Sequence, residues 1–472
     1  MSAKRLQVEG VWAALHEEHE EMHWLCRLIS PRSTLLSFAQ SKEKTVKTTD
    51  TGLTLGDIMR ASFTMVSAGG TTRLQKRVAL VTSGLGTAYG GIGVVAKSIK
   101  STLEPYCKVL VWQHPPFWPR PVRITRVAAH LFLGSQNPPD FVIYDHVHLA
   151  VLHACIPKLR GVPYAVFLHG VEVWQPLANR RREALLGASI LIANSATTVA
   201  KTRAANPWLP GVEVVWLGVP RTSPPIDAGK LPPSALIVGR MSSPERYKGH
   251  DAVMNAWPLI RSAVPEAKLV IVGTGDDEPR LRRRTAKERL EGIQFCGRLS
   301  DSERDRAYRS SRLLFYPSEQ EGFGLAGIEA AAFGVPVLGL AGTVAAELFP
   351  NGEGVALSKD LNRESIAEAA IPVLTDPELA SRLGSAGHRR VQSTFLEEHF
   401  ATRLRSALAQ LLQIDWPEQS DPLQKQPSQS ASIHVNESYW ERQKRLRFSG
   451  FVGDLHPMIK ELFSSTRRSR RL

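Results

Sequence analysis

The 472-residue sequence has only four cysteines and no long uninterrupted apolar run. Cys26, Cys107, Cys155 and Cys296 are scattered without a Cys-x-x-Cys spacing, which argues against a zinc site or a disulfide framework and fits a reducing cytoplasm. No stretch of about 18 apolar residues is present, so we expect no transmembrane helix. The polar N-terminus, with an acidic run at 17–21, does not have the apolar core of a signal peptide.

Acidic residues are scarce relative to basic ones, 45 against 59, and the net charge is +14. Residues 441–472 hold nine Lys/Arg and three Asp/Glu, so part of the excess lies in one short tail. The remaining excess suits an enzyme that holds an anionic nucleotide, or one that works near an acidic surface. A hydrophobic content of 43% is typical of a globular protein, and the length allows two or three domains.

Two stretches of the chain alternate short apolar strands with helical segments, and a proline-rich linker separates them. This alternation predicts an α/β fold with two Rossmann-like domains, each built on a parallel sheet, that face each other across a cleft. The predicted segments are, in order, a poorly interpretable and partly disordered N-terminal extension (1–75), the first Rossmann-like domain (76–222), a linker (223–234), the second Rossmann-like domain (235–394), an amphipathic helix (395–412) and a disordered basic tail (413–472).

Two glutamates, Glu321 and Glu329, frame a glycine turn between two apolar strands. A strand, a glycine turn and a helix form half of a βαβ unit, in which the helix N-terminus faces the carboxyl edge of the sheet. Phosphates and sugars bind at this edge in open α/β folds, because free N–H groups and the helix dipole favour negative charge. Glu329 lies about one turn into the helix, so both carboxylates can face one crevice.

A glycine-rich loop, Gly90-Gly91-Ile92-Gly93, follows the first predicted strand. A dinucleotide-binding interpretation fails because the spacing Gly84-x-Gly86-x-x-x-Gly90 is not G-x-G-x-x-G. In addition, the next strand ends in Gln113 and His114, so it offers no acid for a ribose. Glycine in such a loop lets backbone approach a ligand. A plain tight turn before a helix is the alternative.

The segment EGFGLAGIE, which starts at Glu321, resembles the signature of the retaining glycosyltransferases of family 4, which have the two-domain GT-B fold. The resemblance implies that Glu329 binds the ribose hydroxyls of a nucleotide sugar and that Glu321 sits beside the donor sugar. It also implies that the backbone of Gly322, Phe323 and Gly324 contacts the sugar and the diphosphate.

Other strand ends match the same family in order. His169 resembles the histidine that approaches the donor sugar, although a structural histidine is the alternative, and Arg240 and Lys248 resemble the cations that bind the diphosphate. The remaining correspondences are the loop Gly90, Gly91, Ile92 and Gly93, which would lie opposite the diphosphate and shape the acceptor site, and the base-side backbone of Gly297, Arg298 and Leu299.

One segment departs from the family pattern. Residues 342–347 fall where the family has a Gly-Gly-x-Pro-Glu turn, but one glycine and the proline are missing. The resemblance therefore leaves the donor contacts of this loop open.

The resemblance implies a hexosyltransferase of polysaccharide or glycoconjugate biosynthesis, which moves a sugar from a nucleotide-diphosphate donor to a hydroxyl acceptor with retention of configuration. The acceptor is expected to be a sugar, a glycan or a lipid-linked molecule. No Asp-x-Asp motif flanked by strands is present, so neither a metal nor a cofactor is expected. The alternatives are a GT-B hydrolase, epimerase or phosphorylase, and a non-catalytic nucleotide-sugar-binding protein.

The expected location is the cytoplasm. The basic tail is a candidate for peripheral contact with the anionic inner face of a membrane, and a solvated tail is the alternative. Nucleic acid is not an expected partner.

Overall fold

The computed structural model describes residues 75–113, 138–221, 224–414 and 416. Its first sheet has six parallel strands in the order β2-β1-β3-β4-β5-β6. The strands are β1 (Arg77–Thr82), β2 (Lys108–Gln113), β3 (Phe141–Tyr144), β4 (Tyr164–Leu168), β5 (Ile190–Ala193) and β6 (Val212–Val214). The accompanying helices are α1 (Gly90–Leu103), α2 (Val147–Ala150), α3 (Asn179–Leu186) and α4 (Ala196–Ala205).

The second sheet also has six parallel strands, in the order β12-β11-β10-β7-β8-β9. The strands are β7 (Ser234–Val238), β8 (Lys268–Val272), β9 (Ile293–Gly297), β10 (Leu313–Phe315), β11 (Val337–Leu340) and β12 (Val355–Ser358). The helices are α5 (His250–Ala263), α6 (Glu278–Lys287), α7 (Asp301–Arg309), α8 (Leu325–Ala332), α9 (Val344–Leu348), α10 (Arg363–Thr375), α11 (Pro377–Thr394) and α12 (Glu397–Leu412).

The central strands are continuous apolar runs, because helices cover both faces of each sheet. Every residue of β3, β4 and β11 is buried. The prediction of an α/β fold with two Rossmann-like parallel sheets is confirmed. None of the helices in the described part of the chain is both long and apolar enough to cross a bilayer.

Helix α12 belongs to the first sheet's core although it follows the second sheet in sequence. It packs against α1, and Phe400, Leu404 and Leu408 are buried in one cluster with Val95 and Ile99. The crossing begins at a parallel bridge between Val219 and Leu396. The sequence predicts a helix from residue 395, whereas the observed helix begins at Glu397.

Parts of two predicted irregular segments are ordered. In the predicted linker, Ala228 is fully buried in a short 3-10 turn, and Asp227 accepts a hydrogen bond from Ser381. The predicted tail starts at 413, but Trp416 still packs edge-on against Tyr106, with 5.1 Å between ring centroids. Residues 1–74 and 417–472, and with them nearly all of the predicted extension and tail, lie outside the described residues.

Candidate functional site

Glu321 and Lys248 form an ion pair at the carboxyl edge of the second sheet. Glu321 lies in the turn between β10 and α8, and its Oε2 is 3.3 Å from Lys248 Nζ. Ser318 Oγ donates a hydrogen bond to the same oxygen at 3.2 Å. Each side chain of the pair is 22% exposed. A carboxylate and a cation are thus held together at the carboxyl edge of the second sheet, where both are largely but not fully shielded from solvent.

Glu329 lies on α8, half-buried, and one of its carboxylate oxygens is anchored from α7. The Tyr308 hydroxyl donates to Oε2 at 2.9 Å, and Arg304 Nε is 3.6 Å from the same oxygen. Burial raises the pKa of Glu329, and Arg304 and Tyr308 oppose that rise. Among the described residues, Oε1 has no hydrogen-bond partner, so this oxygen is available to a ligand hydroxyl.

The turn between the two glutamates needs its glycines for different reasons. Gly324 precedes α8 with φ 94°, a left-handed conformation that favours glycine, and a Cβ there would overlap the Tyr316 hydroxyl. Gly322 has no room for a Cβ because the His169 carbonyl oxygen of the first domain occupies that space. Phe323 is 3% exposed and packs edge-on to Phe395, so its ring belongs to the core and only its backbone is left for a donor contact.

Arg240 does not join Lys248 and Glu321 in this structure. Its guanidinium is 69% exposed and donates to Glu245 at 2.5 Å. The role of Arg240 as a diphosphate ligand stays a prediction, and it requires the exposed side chain to exchange Glu245 for the ligand.

The predicted base-side turn follows β9. Gly297 has φ +67°, and its carbonyl oxygen accepts a hydrogen bond from the Gly273 amide at 2.8 Å, which ties the ends of β8 and β9 together. Arg298 is exposed and Leu299 is half-buried against the core. Their contact with a base stays a prediction.

His169 sits at the end of β4, on the opposite side of the cleft. Its Nε2 is 2.6 Å from the Asp145 carbonyl oxygen, and its backbone N–H donates to Glu172 at 2.5 Å. A carbonyl oxygen only accepts, so Nε2 carries a proton, and in that tautomer Nδ1 is the nitrogen able to accept a hydrogen bond. Asn194 Nδ2 donates to the His169 carbonyl at 2.9 Å and fixes the backbone.

The predicted glycine loop forms the start of α1, which begins at Gly90 with φ +70°. Gly93 packs against the loop itself, because the Gly86 amide donates to the Gly93 carbonyl at 2.7 Å. A Cβ built at Gly91 would lie 3.7 Å from Leu325 Cδ1 at the start of α8. The loop, including Ile92, therefore lies across the cleft from the glycine turn of the second domain.

The two domains touch directly beside Glu321. Ser195 Oγ and Thr198 Oγ1, both from the start of α4, donate to the Gly322 carbonyl at 2.5 Å and 3.2 Å. The same Ser195 hydroxyl caps α4 by accepting from the Thr198 amide. The contact with Gly322 depends on the packing of the two domains, which no local sequence pattern specifies.

Glu347 forms a second contact between the two domains. Its carboxylate accepts the Ala196 and Thr197 amides, each at 2.8 Å, the Thr197 hydroxyl at 2.7 Å and the Trp216 indole N–H at 2.9 Å. We call this set of four bonds the Glu347 clasp. A carboxylate at the N-terminus of α4 is favoured by the helix dipole and the free amides. The sequence draws attention to Glu347 only because this residue belongs to the 342–347 loop, which departs from the family pattern.

Asp145 is a buried acid that the sequence interpretation does not include. It is fully buried after β3, and Thr82 donates a short hydrogen bond to its Oδ2. Burial raises the pKa of Asp145 to about 6, against the lowering effects of Thr82 and His169. Its position directly after the apolar strand β3 is the signal that could have identified it. Asp145 therefore holds the end of β1 through its side chain and His169 through its carbonyl oxygen.

Within the described ranges, no group of three or more His, Cys, Asp or Glu side chains is arranged to hold a metal ion.

Residues 226–390 match the family model "glycosyl transferases group 1". A GDP-mannose-dependent monoacylated alpha-(1-6)-phosphatidylinositol monomannoside mannosyltransferase of Corynebacterium glutamicum is 30% identical over 169 residues, which are 34% of this chain and 44% of the relative. A glycogen synthase of Mycobacterium tuberculosis is 29% identical over 240 residues, which are 50% of this chain and 55% of the relative. The matches therefore cover only part of each relative.

Solved structures with the same architecture cover 71% of this chain. Anabaena HepE, in complex with UDP and glucose, has a TM-score of 0.57 at 19% identity and is covered over 99% of its length. The sucrose-phosphate synthase of Thermosynechococcus elongatus has a TM-score of 0.59 at 20% identity and is covered over 99%. At these identities the likeness concerns the fold. The chain thus has the two-domain GT-B fold, and its second domain matches the glycosyl transferases group 1.

Proposed function

We propose that the protein is a retaining glycosyltransferase of family 4, which moves a sugar from a nucleotide-diphosphate donor to a hydroxyl acceptor without a metal. The observation that carries the proposal is the arrangement of Lys248, Glu321 and Glu329 at one sheet edge, opposite His169 on the other domain. The names of the Corynebacterium and Mycobacterium relatives, a mannosyltransferase and a glycogen synthase, support a hexosyl donor.

In the proposed complex, Glu329 Oε1 accepts a hydrogen bond from a ribose hydroxyl, because Tyr308 already occupies Oε2. The diphosphate lies at the start of α8, where the N-terminal amides and the helix dipole favour negative charge. Lys248 then exchanges its bond with Glu321 for a phosphate oxygen. Glu321 is left beside the donor sugar, where a carboxylate stabilises positive charge on the breaking anomeric centre.

The reaction proposed here breaks the bond between the anomeric carbon and the diphosphate oxygen and forms a bond to the acceptor oxygen on the same face. Negative charge grows on the departing diphosphate, and Lys248, Arg240 and the α8 amides are the groups placed to stabilise it. The acceptor proton passes to the departing phosphate oxygen. His169, with Nδ1 as its acceptor nitrogen, orients a donor sugar hydroxyl.

The test is a thermal-shift screen of UDP, GDP and their sugars, followed by product analysis. A ligand at 100 times its Kd is expected to stabilise the native state by about 2.7 kcal/mol. Transfer to an added hydroxyl acceptor supports the proposal. Release of free sugar, an epimerised sugar or a sugar phosphate would identify a hydrolase, an epimerase or a phosphorylase instead, and nucleotide-sugar binding without any product would identify a binding protein.

Replacing Glu329 by alanine is expected to weaken nucleotide-diphosphate binding about 10-fold or more, because a hydrogen bond to a charged group contributes about 1.5–3 kcal/mol. Since burial raises the pKa of Glu329, affinity in the wild type should begin to fall at a higher pH than an exposed glutamate would give. Calorimetry across pH measures both effects. The control is Glu329→Gln, which is expected to lack that pH dependence; unchanged affinity in Glu329→Ala would exclude Glu329 from the site.

A further inference from the structure

A single threonine hydroxyl joins the buried acid Asp145 to the connection between β1 and α1 (residues 83–89). Thr82 is the last residue of β1, and its Oγ1 lies within hydrogen-bond distance of three groups. These are a carboxyl oxygen of Asp145, the Gly84 carbonyl oxygen at 2.9 Å and the Gly84 amide nitrogen at 3.1 Å. Thr82 and Asp145 are fully buried, and Gly84 is buried as well. The three residues are therefore connected away from solvent.

The Thr82 hydroxyl has one proton, so it cannot donate to both of its acceptors at once. The Gly84 amide only donates, and it therefore occupies a lone pair of Thr82 Oγ1. An ionised Asp145 only accepts, so the hydroxyl proton then points to the carboxylate. A protonated Asp145 can donate to Thr82 Oγ1 instead, and the hydroxyl proton then points to the Gly84 carbonyl. The protonation state of Asp145 thus decides which acceptor Thr82 serves.

The two arrangements differ in what they leave unpaired. No other described residue donates a hydrogen bond to the Gly84 carbonyl oxygen, so this oxygen has a partner only while Asp145 is protonated. The same oxygen would lie 3.4 Å from a Cβ built at Gly93, in the first turn of α1. Ionisation of Asp145 therefore removes a hydrogen bond between the end of β1 and the connection that leads into α1.

The surroundings of Asp145 favour its neutral form. Oδ1 has no hydrogen-bond partner among the described residues, and none of the cations described forms an ion pair with the carboxyl group. Burial raises the pKa of Asp145 to about 6, and Thr82, His169 and the Ser83 amide oppose that rise. Both protonation states are therefore populated close to neutral pH.

We propose that Asp145 positions the β1–α1 connection through this shared proton: the protonated acid fixes the connection to the end of β1, and the ionised acid releases it. Asp145 is a positioning residue, because it acts through Thr82 and Gly84 and not on a substrate. The consequence for catalysis rests on the proposed function, in which the connection leads to the acceptor-side loop that starts at Gly90. Acceptor affinity falls as the acid ionises. Donor affinity does not, because His169 is held by the main-chain carbonyl of Asp145, which does not titrate.

The direct test is hydrogen–deuterium exchange of the amides of residues 83–93 in the full chain, at about pH 5 and about pH 8, with each rate corrected for the intrinsic rate at that pH. The wild type is expected to lose protection about tenfold at the higher pH, the equivalent of one hydrogen bond. Asp145→Asn should stay protected at both pH values, because its amide group donates to Thr82 as the protonated acid does.

Two variants of Thr82 test the path of the proton, and one aspartate serves as the control. Thr82→Val removes the hydroxyl and should leave the connection unprotected at both pH values, whereas Thr82→Ser should restore the wild-type pH dependence. Asp140 is exposed and accepts a hydrogen bond from the Arg77 amide at 2.7 Å, at the opposite end of β1. Asp140→Asn should therefore leave the exchange of residues 83–93 unchanged.

Thermal unfolding gives a second readout with a defined sign. Because the pKa of Asp145 is raised in the folded protein, the stability that this group contributes is lost as the pH rises through about 6. Asp145→Asn should therefore melt close to the wild type at about pH 5 and a few degrees above it at about pH 8. An Asp145→Asn protein that melts below the wild type at the higher pH would contradict a neutral acid at this position.

Three other titratable groups lie near Asp145. His169 donates to its carbonyl oxygen, the His146 ring is 6.4 Å from the His169 ring, and Glu172 accepts the His169 amide. All three are retained in Asp145→Asn. A pH-dependent loss of protection that persists in this variant therefore belongs to them and overturns the inference. Equal protection of the wild type at both pH values overturns it as well.

The exchange experiment needs no substrate, so it separates this inference from the proposed function. If the wild type binds neither UDP nor GDP, the proposed function fails, and the exchange data still decide the role of Asp145. With a donor and an acceptor from the screen, the acceptor KM of the wild type should rise about tenfold above pH 6, and that of Asp145→Asn should not. A donor KM that rises in the same pH range would contradict the acceptor-side role.

Discussion

Replacing Lys248 by alanine is expected to lower turnover about 100-fold or more while changing the donor KM far less. The ammonium group lies 3.3 Å from Glu321 and is only 22% exposed, so water replaces its charge poorly. Because charge on the diphosphate grows as the sugar bond breaks, the lost interaction is stronger in the transition state than in the ground state. Steady-state kinetics with the donor identified by the screen measures the effect.

The matched control is Arg246→Ala, two residues away. Arg246 is 52% exposed and pairs with Asp277 at 2.8 Å, so its loss is expected to leave turnover within a few-fold of wild type. Arg240→Ala should have an intermediate effect, since Arg240 is more exposed than Lys248. A Lys248→Ala variant that loses donor affinity and keeps its turnover would contradict the leaving-group role. Activity of the wild type that disappears with a chelator would contradict the metal-free mechanism.

Replacing Gly322 by alanine is expected to abolish most of the activity, with a fall in kcat/KM of about 100-fold or more. A Cβ at this position would overlap the His169 carbonyl oxygen, and neither backbone can give way without moving one domain relative to the other. The domains therefore separate at Gly322, directly beside Glu321. One buried cluster runs through both domains, so the melting temperature should fall as well, whereas circular dichroism should still show the two folded sheets.

Gly327→Ala provides the control on the same helix. A Cβ at Gly327 meets its nearest neighbour, Tyr316 Cδ1, at an ordinary 3.7 Å, so activity should be retained. Glu347→Ala removes the Glu347 clasp and should lower kcat/KM in the same direction as Gly322→Ala, because it favours the open arrangement by a separate route. Small-angle scattering measures the opening. A Gly322→Ala enzyme that is as compact and active as wild type would show that the contact is not needed.

The cleft-facing residues at the strand ends could be predicted from the sequence, because in this fold every strand contributes its carboxyl end to the same edge of the sheet. In a parallel sheet all carboxyl ends meet at one edge, so an apolar run that ends in Gly-Arg or His-Gly already indicates which residues face the cleft. The pairing of Glu321 with Lys248 follows from this rule, since both lie at this edge of the second sheet.

Contacts between elements distant in sequence could not be predicted. Glu347 reaches the start of α4 only because the two sheets pack at one particular angle, and no local pattern near Glu347 specifies that angle. Tyr308 anchors Glu329 from a helix that carries no recognisable motif. The side-chain direction of Arg240 is likewise decided by its neighbour Glu245. These contacts depend on the distances between residues that are far apart in the chain, and a single sequence does not specify those distances.

The crossing of α12 onto α1 has a consequence for synthesis on the ribosome. The first sheet emerges early, yet Val95 and Ile99 receive their cover from Phe400, Leu404 and Leu408 only after the whole second sheet has been translated. Until then the nascent first domain exposes an apolar face to chaperones and to other chains. Residues 75–221 made alone should therefore be aggregation-prone, and supplying residues 395–416 as a tethered peptide should restore solubility, which sedimentation of the two proteins compares directly.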